Sequence, residues 1–302
     1  MKTLLDATLR RSPLQAAYRW KTVRQLRVLA YHGIDDPDRF ARQLDYLRRT
    51  MAPVSLEDVL RALEGRSALP RRAVLLTFDD GERSLFDRGL PLLRERGLPA
   101  LAFVLAGLLD TCRPYWWSEV QALVGRGGSA AAHPDLPAEQ LVRALKRAGD
   151  DHRRETIAEL RRTARAPAEP QPQLRRHELR ELVAAGVAVG NHSLTHPCLP
   201  RCPPETSTAE VLEAHRVLSE TLGEAPAAFA YPNGDWDAHA ERALEEAGYQ
   251  VAFLFDHRVS AWPPSHRLRV SRLRVSSHTS LDRFATILSG LHPALHHGRG
   301  GA

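Results

Sequence analysis

Along most of the chain, short runs of apolar residues alternate with longer segments in which apolar residues recur every three or four positions. The runs RVLAY at 27–31 and AVLLTF at 73–78 are almost free of polar residues, which is typical of strands buried on both faces of a parallel sheet. The segment 38–50 places apolar residues such as Phe40 and Leu44 on one face and predicts an amphipathic helix. Strands that alternate with helices predict an α/β fold with a parallel sheet, and the number of such units favours a barrel over an open sheet.

The same alternation continues through the rest of the chain and predicts the remaining elements. Strands are expected at 101–105, 187–190, 227–231 and 251–255, with a strand-like segment at 267–275. Helices are expected at 85–96, 178–185, 208–222, 237–247 and 281–291.

The stretch 118–175 interrupts this alternation. It contains a long, highly charged helical pattern at 139–165, followed by a proline-rich segment that is typical of a loop. We interpret the stretch as a helical insertion on the scaffold and not as a second domain. The predicted organisation is therefore an N-terminal helical segment (1–26), one domain (27–291) and a mobile Gly- and His-rich tail (292–302).

The composition is that of an ordinary globular protein, with 302 residues of which 43% are hydrophobic and 26% charged. The net charge is +6, but the basic residues, almost all of them arginines, are scattered among acidic ones. A nucleic-acid-binding surface would cluster them with aromatic residues, so we expect no nucleic-acid partner. The three cysteines cannot all pair, which argues against a secreted disulfide framework.

The N-terminal residues 1–20 lack the pattern of a signal peptide, because Asp6, Arg10 and Arg11 interrupt the apolar stretch that such a peptide needs. The longest uncharged apolar run, 98–109, is too short to span a bilayer. We therefore expect a cytoplasmic or inner-membrane-associated protein. The basic, weakly amphipathic start of the chain is also compatible with a peripheral contact with a membrane surface.

Two adjacent carboxylates, Asp79 and Asp80, follow the predicted strand 73–78, and Gly81 turns the chain behind them. The carboxyl ends of strands are where α/β folds build their sites. Successive side chains of a strand point to opposite sides, so the two aspartates are expected to have different tasks. Taken alone, the motif is equally compatible with a polar turn that caps the next helix.

Two histidines, His192 and His196, follow the predicted strand 187–190. Imidazoles at this spacing can bind one metal ion. The spacing is weak evidence, because a chain with 14 histidines contains such pairs by chance, and His292 and His296 form a second one. The position at a strand end, and not the spacing, favours a metal site.

A tight turn, Pro232-Asn233-Gly234, follows the apolar run 227–231. Pro-Asn-Gly is a turn signal, and such a turn can aim backbone N–H groups at an anion. On its own the motif is more typical of an ordinary loop.

Together the three motifs, TFDDG at 77–81, HSxxH at 192–196 and FAYPxG at 229–234, resemble those of the polysaccharide deacetylase family with the NodB homology domain (carbohydrate esterase family 4). The resemblance runs from about Arg27 to Leu291, and Tyr31-His32 resembles the element that opens such domains. The FAYPxG form is similar to the branch associated with exopolysaccharide and surface-glycan synthesis. The resemblance implies a distorted (β/α) barrel with a single domain.

The resemblance also implies roles for individual residues. Asp79 matches the catalytic base, and Asp80, His192 and His196 match the three ligands of a divalent metal, with Zn²⁺ the expected ion. The backbone N–H of Asn233 matches the group that stabilises the oxyanion. The implied reaction is the hydrolysis of N-acetyl groups from acetamido sugars of a bacterial glycan or a lipid-linked glycan precursor, with release of acetate.

The chain departs from the family pattern in two motifs. Many members carry an arginine where this chain has Ala230, so another group must orient Asp79. The last motif, which usually supplies a histidine as general acid, is not recognisable, and His278 and His32 are the two candidates for that role.

Among the aromatic residues, Trp236 is the better candidate for lining the cleft. The run Tyr115-Trp116-Trp117 is more typical of core.

Two alternative functions remain open from the sequence. One is the hydrolysis of another amide or of an O-acetyl ester on the same fold. The other is a glycan-binding protein that has lost turnover, which the altered motifs would explain.

Overall fold

The computed structural model describes residues 2–297 and the side chains of residues 6–295. Its strands are β1 Arg27–Tyr31, β2 Ala52–Pro53, β3 Ala73–Phe78, β4 Ala100–Val104, β5 Val187–Asn191, β6 Ala228–Ala230, β7 Val251–Phe253 and β8 Leu273–Arg274. Its α-helices are α1 Lys2–Arg11, α2 Pro13–Lys21, α3 Pro37–Thr50, α4 Leu56–Leu63, α5 Leu90–Arg96, α6 Trp116–Gly125, α7 Ala138–Leu145, α8 Asp150–Thr163, α9 Arg176–Ala184, α10 Pro204–Leu222, α11 Ala238–Glu246, α12 Leu281–Ser289 and α13 Leu291–His297.

The strands form one parallel sheet in the order β7-β6-β5-β4-β3-β1-β8, and β2 pairs with the start of β3. Every residue of β1, β3 and β4 is buried, because helices cover the outer face and the curl of the sheet encloses the inner one. The predicted strands 27–31 and 73–78 are confirmed with the same bounds.

The predicted strand-like segment 267–275 joins the two ends of this curled sheet. The N–H of Val270 donates to Ala252 O (2.9 Å), while Leu273 lies opposite Leu29 of β1. The segment thus contacts both β7 and β1, although only Leu273–Arg274 is regular strand. The predicted α/β fold with a distorted barrel is confirmed.

The segment between β4 and β5 has its own apolar centre. Residues of α6, α7 and α8, among them Val120, Leu145 and Leu160, form a buried cluster separate from those around the sheet. The segment 139–165 was predicted as one helical stretch but forms two helices, α7 and α8. The stretch is interrupted because Gly149, the N-cap residue of α8, has an extended backbone conformation. The proposed insertion limits 118–175, like the proposed division of the chain, stay predictions.

The structure differs from the sequence prediction at the C-terminal end. Gly290, with a φ of 86°, ends α12, and the first part of the predicted tail belongs to helix α13, while the mobility of the tail stays a prediction. The side chain of Leu291 is buried there. Residues 298–302 of the predicted tail lie outside the described residues.

At the other end of the chain, α1 and α2 pack against α12. Gln15 of α2 donates from Nε2 to Ala285 O (3.0 Å). Within residues 2–297, no helix combines the length and apolarity that crossing a membrane requires.

Candidate metal and catalytic site

Asp79 and Asp80 leave the end of β3 in different directions. The N–H of Asp79 still donates to Tyr31 O of the neighbouring strand (2.9 Å), whereas Asp80 has left the strand with a φ of 68°. Both carboxylates are buried. Asp79 contacts Arg272 and Asp80 faces two histidines, so the expected division of tasks has a structural basis.

His192 and His196 approach Asp80 from the loop after β5. The Nδ1 atom of His192 lies 2.7 Å from Ala230 O, so Nδ1 carries the proton and Nε2 is left to face the carboxylate. His196 has a φ of 62°, and its N–H donates to Ser193 Oγ (3.0 Å). The contact with Ala230 O orients the ring of His192, whereas the ring of His196 is positioned by packing against Trp117, since its buried Nδ1 has no hydrogen-bond partner among the described residues.

Asp80, His192 and His196 fit a metal ion of the zinc type. The Oδ1 atom of Asp80 lies 3.3 Å from His192 Nε2 and 3.5 Å from His196 Nε2. Two ligand atoms about 2.1 Å from a tetrahedral ion lie about 3.4 Å apart. Asp80 Oδ1 is buried without a well-formed hydrogen bond, which is costly unless a cation satisfies it. Two imidazoles and one carboxylate also leave an open coordination position, as catalytic zinc sites do.

The electrostatics of Asp80 and His196 favour metal ligation. Burial lowers the pKa of His196 to about 3, so its ring is the neutral form that binds metal. Burial alone would raise the pKa of Asp80, but the facing histidines outweigh burial and lower it. The site therefore presents an ionised carboxylate and at least one neutral imidazole at neutral pH.

Arg272 orients Asp79, a role that the sequence left unassigned. Its Nη1 lies 2.6 Å from Asp79 Oδ1 and its Nη2 lies 2.8 Å from Oδ2. Arg272 is fully buried, and its Nε also donates to Leu254 O. Burial alone would raise the pKa of Asp79, but Arg272 together with His192 and His32 outweighs burial and lowers the pKa. Arg272 thus supplies the group that orients Asp79, which the third motif lacks with Ala230.

The turn Pro232–Gly234 holds Asn233 at the edge of the same pocket. Asn233 has a φ of 57°, and its side-chain Nδ2 lies 3.2 Å from Cys198 Sγ. Gly234 is required here, since its φ is 83° and an added Cβ would lie 2.2 Å from Phe255 N. Within residues 2–297, the backbone N–H of Asn233 has no hydrogen-bond acceptor.

These residues surround a pocket of about 410 Å³, which we call the metal pocket. Its lining comprises His32, Asp79, Asp80, Trp117, Lys146, His192, His196, Asn233, Gly234, Phe255 and Arg274. Six of the seven predicted site residues are therefore brought together.

The seventh, His278, does not line the pocket. Its side chain is 59% exposed, and its Nε2 lies 3.6 Å from Asp35 Oδ2. His32, the other candidate for the acid, does line it, and its Nε2 lies 3.9 Å from Asp80 Oδ2.

The prediction for the aromatic residues is wrong in one respect. Trp236 is outside the metal pocket, and Arg269 lies over its ring at 3.7 Å. Trp117 lines the pocket instead, with its ring edge-on to His196 (4.7 Å between centroids). Trp116 and Tyr115 are buried as expected.

The sequence comparison assigns the chain to a class. The family model described as polysaccharide deacetylase matches residues 66–252, which is more than half of the chain. The chain therefore belongs to the polysaccharide deacetylase family.

Individual relatives share shorter stretches. Over 95 residues, the chain is 39% identical to the poly-beta-1,6-N-acetyl-D-glucosamine N-deacetylase of Escherichia coli K12, covering 28% of this chain and 14% of that protein. Over 100 residues, it is 37% identical to the chitooligosaccharide deacetylase of Bradyrhizobium sp. strain ANU 289, covering 32% of this chain and 44% of that protein. The chain thus matches less than half the length of either relative.

Solved structures share the fold over most of the chain. The Streptococcus pyogenes deacetylase PplD in complex with acetate has a TM-score of 0.62 at 18% identity and covers 87% of this chain and 98% of its own. IcaB from Ammonifex degensii has a TM-score of 0.60 at 22% identity and covers 88% of this chain and 97% of its own. These similarities support the fold.

Proposed function

We propose that the protein is a metal-dependent hydrolase that removes N-acetyl groups from acetamido sugars of a bacterial glycan or a lipid-linked glycan precursor. One observation carries the proposal: the Asp80, His192 and His196 ligand set lies in one pocket with the ion-paired carboxylate of Asp79. The names of the relatives from Escherichia coli and Bradyrhizobium, both deacetylases of N-acetylglucosamine polymers or oligomers, point to the same reaction.

The reaction consumes one water and cleaves the amide C–N bond, giving acetate and a free amine on the sugar. A divalent ion on Asp80, His192 and His196, with Zn²⁺ the ion that suits these ligands, supplies Lewis acidity toward the acetyl carbonyl and makes a nearby water more acidic. Asp79 accepts the proton of the attacking water as general base. Its ion pair with Arg272 holds the carboxylate ionised and in one orientation.

The backbone N–H of Asn233 is proposed to stabilise the oxyanion that develops on the acetyl carbonyl. It lies at the pocket edge and is free to donate. A backbone donor in a rigid turn is well suited to this task, because it needs no reorganisation as negative charge develops.

His32 is proposed to protonate the leaving amine. Among the described residues that line the metal pocket, it is the one imidazole outside the ligand set. Its ring is half-exposed and packs edge-on against Phe255 (5.4 Å between centroids). It is therefore held in place and can still exchange protons with solvent.

The His32→Gln variant is expected to lower kcat about 10²- to 10⁴-fold, the usual contribution of general acid catalysis. Bound zinc is expected to stay as in the wild type, since His32 is not a ligand. Steady-state acetate release with parallel metal analysis measures both. His278→Gln, which changes an exposed imidazole outside the pocket, is the matched control. Equal losses in the two variants would contradict the assignment.

The function itself is tested by acetate release from matched N-acetyl and O-acetyl substrates. The zinc-loaded protein is incubated with N-acetylglucosamine oligomers and with an O-acetylated glycan that has no acetamido group. We expect acetate from the N-acetyl substrate, released about 10²- to 10⁴-fold more slowly by Asp79→Asn. Acetate from the O-acetyl substrate alone would indicate an esterase, and binding without acetate release would indicate a non-catalytic glycan-binding protein.

The substrate partner, the cellular location and the membrane contact of the protein are also proposals. The expected substrate partner is a glycan or lipid-linked sugar and not a nucleic acid. A cytoplasmic or inner-membrane-associated location with a peripheral membrane contact suits that substrate. Co-sedimentation of the protein with anionic lipid vesicles tests the membrane contact, which fails if the protein stays in the supernatant.

A further inference from the structure

A second pocket of about 660 Å³ lies beside the metal pocket, and we call it the arginine pocket. Its walls come from α6 and α8 and from the loop after β4. Four arginines line it against one carboxylate, that of Glu119. The arginines are Arg113, Arg153, Arg154 and Arg161.

Positive charge in the arginine pocket is only partly neutralised. Arg161 pairs with Glu119 (2.7 Å). Arg153 and Arg154 share the carboxylate of Asp150, at 2.5 Å each, and the charge of Glu210 also acts on Arg154. Within the described part of the chain, the guanidinium of Arg113 pairs with no carboxylate, so a net positive charge remains.

The two pockets share one aromatic ring in their walls. Trp117 lines both of them, stacks on Tyr115 (4.9 Å, 2° between ring planes) and touches the ring of His196. On the metal side of Trp117, Lys146 and Arg274 add two cations that form no salt bridge within the described residues, although both act electrostatically on the carboxylate of Asp235. A flat aromatic surface flanked by cations is suited to a sugar ring that carries a neighbouring anionic group.

We propose that the arginine pocket binds an anionic group, a phosphate or a carboxylate, that is attached to the substrate next to the acetamido sugar in the metal pocket. The substrate class is therefore an acidic acetamido glycan or glycan phosphate and not a neutral polymer. Arginine is suited to both anions, because its planar guanidinium donates two parallel hydrogen bonds. This inference rests on the proposed function, since it assigns the acetamido sugar to the metal pocket.

The test measures binding and turnover separately with three defined disaccharides. They are di-N-acetylchitobiose, the same disaccharide with a phosphate ester at its reducing end, and N-acetylglucosamine joined to glucuronic acid. Calorimetry on the Asp79→Asn protein gives Kd without turnover, and acetate release by the active protein gives kcat/KM. We expect at least one anionic disaccharide to bind about tenfold or more tightly than the neutral one, with a preference that weakens as salt is raised. The tighter of the two anionic ligands identifies the group.

Arg113 and Arg154 are exposed, and Arg153 still pairs with the buried Asp150 when Arg154 is replaced. Arg113→Gln and Arg154→Gln are each expected to reduce the ratio of anionic to neutral affinity about three- to tenfold, and together to abolish the preference. Arg216→Gln on α10 removes the same charge from an exposed arginine paired with Glu220 (2.7 Å) and is expected to leave the ratio unchanged.

Equal affinity for the three disaccharides, or a preference that survives the double substitution, would overturn the inference. If anionic preference is found but no acetate is released from any ligand, the proposed hydrolysis fails while the anion pocket stands. If acetate is released with no preference for an anion, the hydrolysis stands and the anion pocket fails.

Discussion

Replacing Asp80 with asparagine is expected to abolish stable zinc binding, because the asparagine keeps the size of the side chain but removes the charge that faces His192 and His196. Zinc affinity should fall by at least about 100-fold, since the loss of groups that only support metal ligands already costs 10- to 100-fold. Elemental analysis of the purified protein is expected to find about one zinc per chain in the wild type and little in the variant. Deacetylation should fall with the metal content.

The free energy of unfolding of the wild type and of Asp80→Asn gives a second comparison that does not depend on activity. Zinc at about 100 times its Kd is expected to raise the free energy of unfolding of the wild type by about 2.7 kcal/mol and to leave Asp80→Asn unchanged. His192→Ala should behave like Asp80→Asn, and His278→Ala, which removes an exposed imidazole, like the wild type. A zinc-dependent rise of equal size in all four proteins would exclude the assigned ligands.

Breaking the ion pair between Asp79 and Arg272 from one side is expected to destabilise the protein strongly. Arg272→Met leaves the buried Asp79 carboxylate without its partner, and the loss of one member of a buried ion pair costs about 3–5 kcal/mol. Asp79→Asn leaves a buried guanidinium beside a neutral amide and is also destabilising. The double variant should be more stable than the sum of the single effects predicts, with a coupling energy of about 2 kcal/mol or more.

Urea unfolding of the four proteins in the cycle measures this coupling. Activity should not follow stability, because Asp79→Asn and the double variant both lack the proposed base and are expected to lose about 10²- to 10⁴-fold in kcat. Asp79→Asn should keep its zinc, which separates the base from the metal ligands. Additive destabilisation, or an active double variant, would show that Arg272 does not act through Asp79.

Local sequence patterns predicted most of the scaffold. The strands β1 and β3 have the predicted bounds, because an unbroken apolar run bounded by polar residues leaves a buried strand few alternatives. The pattern at 139–165 predicted helical structure but not the break between α7 and α8, since a charged amphipathic stretch does not show where its helix is interrupted. The strand-like segment 267–275 was recognised, but its short regular part and its contacts with both edges of the sheet depend on the curl of the whole sheet.

Arg272 and Trp117 were not identified from the sequence as residues of the site, for the same physical reason in both cases. Arg272 is 193 positions from Asp79, and no local pattern predicts such a contact. The segment 267–275 alternates arginines with apolar residues, so the sequence does not show which of its four arginines is buried against a carboxylate. The sequence prediction wrongly ranked Trp236 above Trp117, because only packing decides which ring faces the metal pocket.

The sequence by itself determined the fold class and the positions of Asp79, Asp80, His192 and His196, because strand ends carry these side chains and parallel strands bring their carboxyl ends to one edge. Only the tertiary structure decided which groups surround them. The partner of Asp79, the exclusion of His278 and the convergence of Arg113, Arg153, Arg154 and Arg161 all depend on contacts between distant segments. Arginines that are scattered along the chain become one charged pocket because the folded segment between β4 and β5 brings them together beside Trp117.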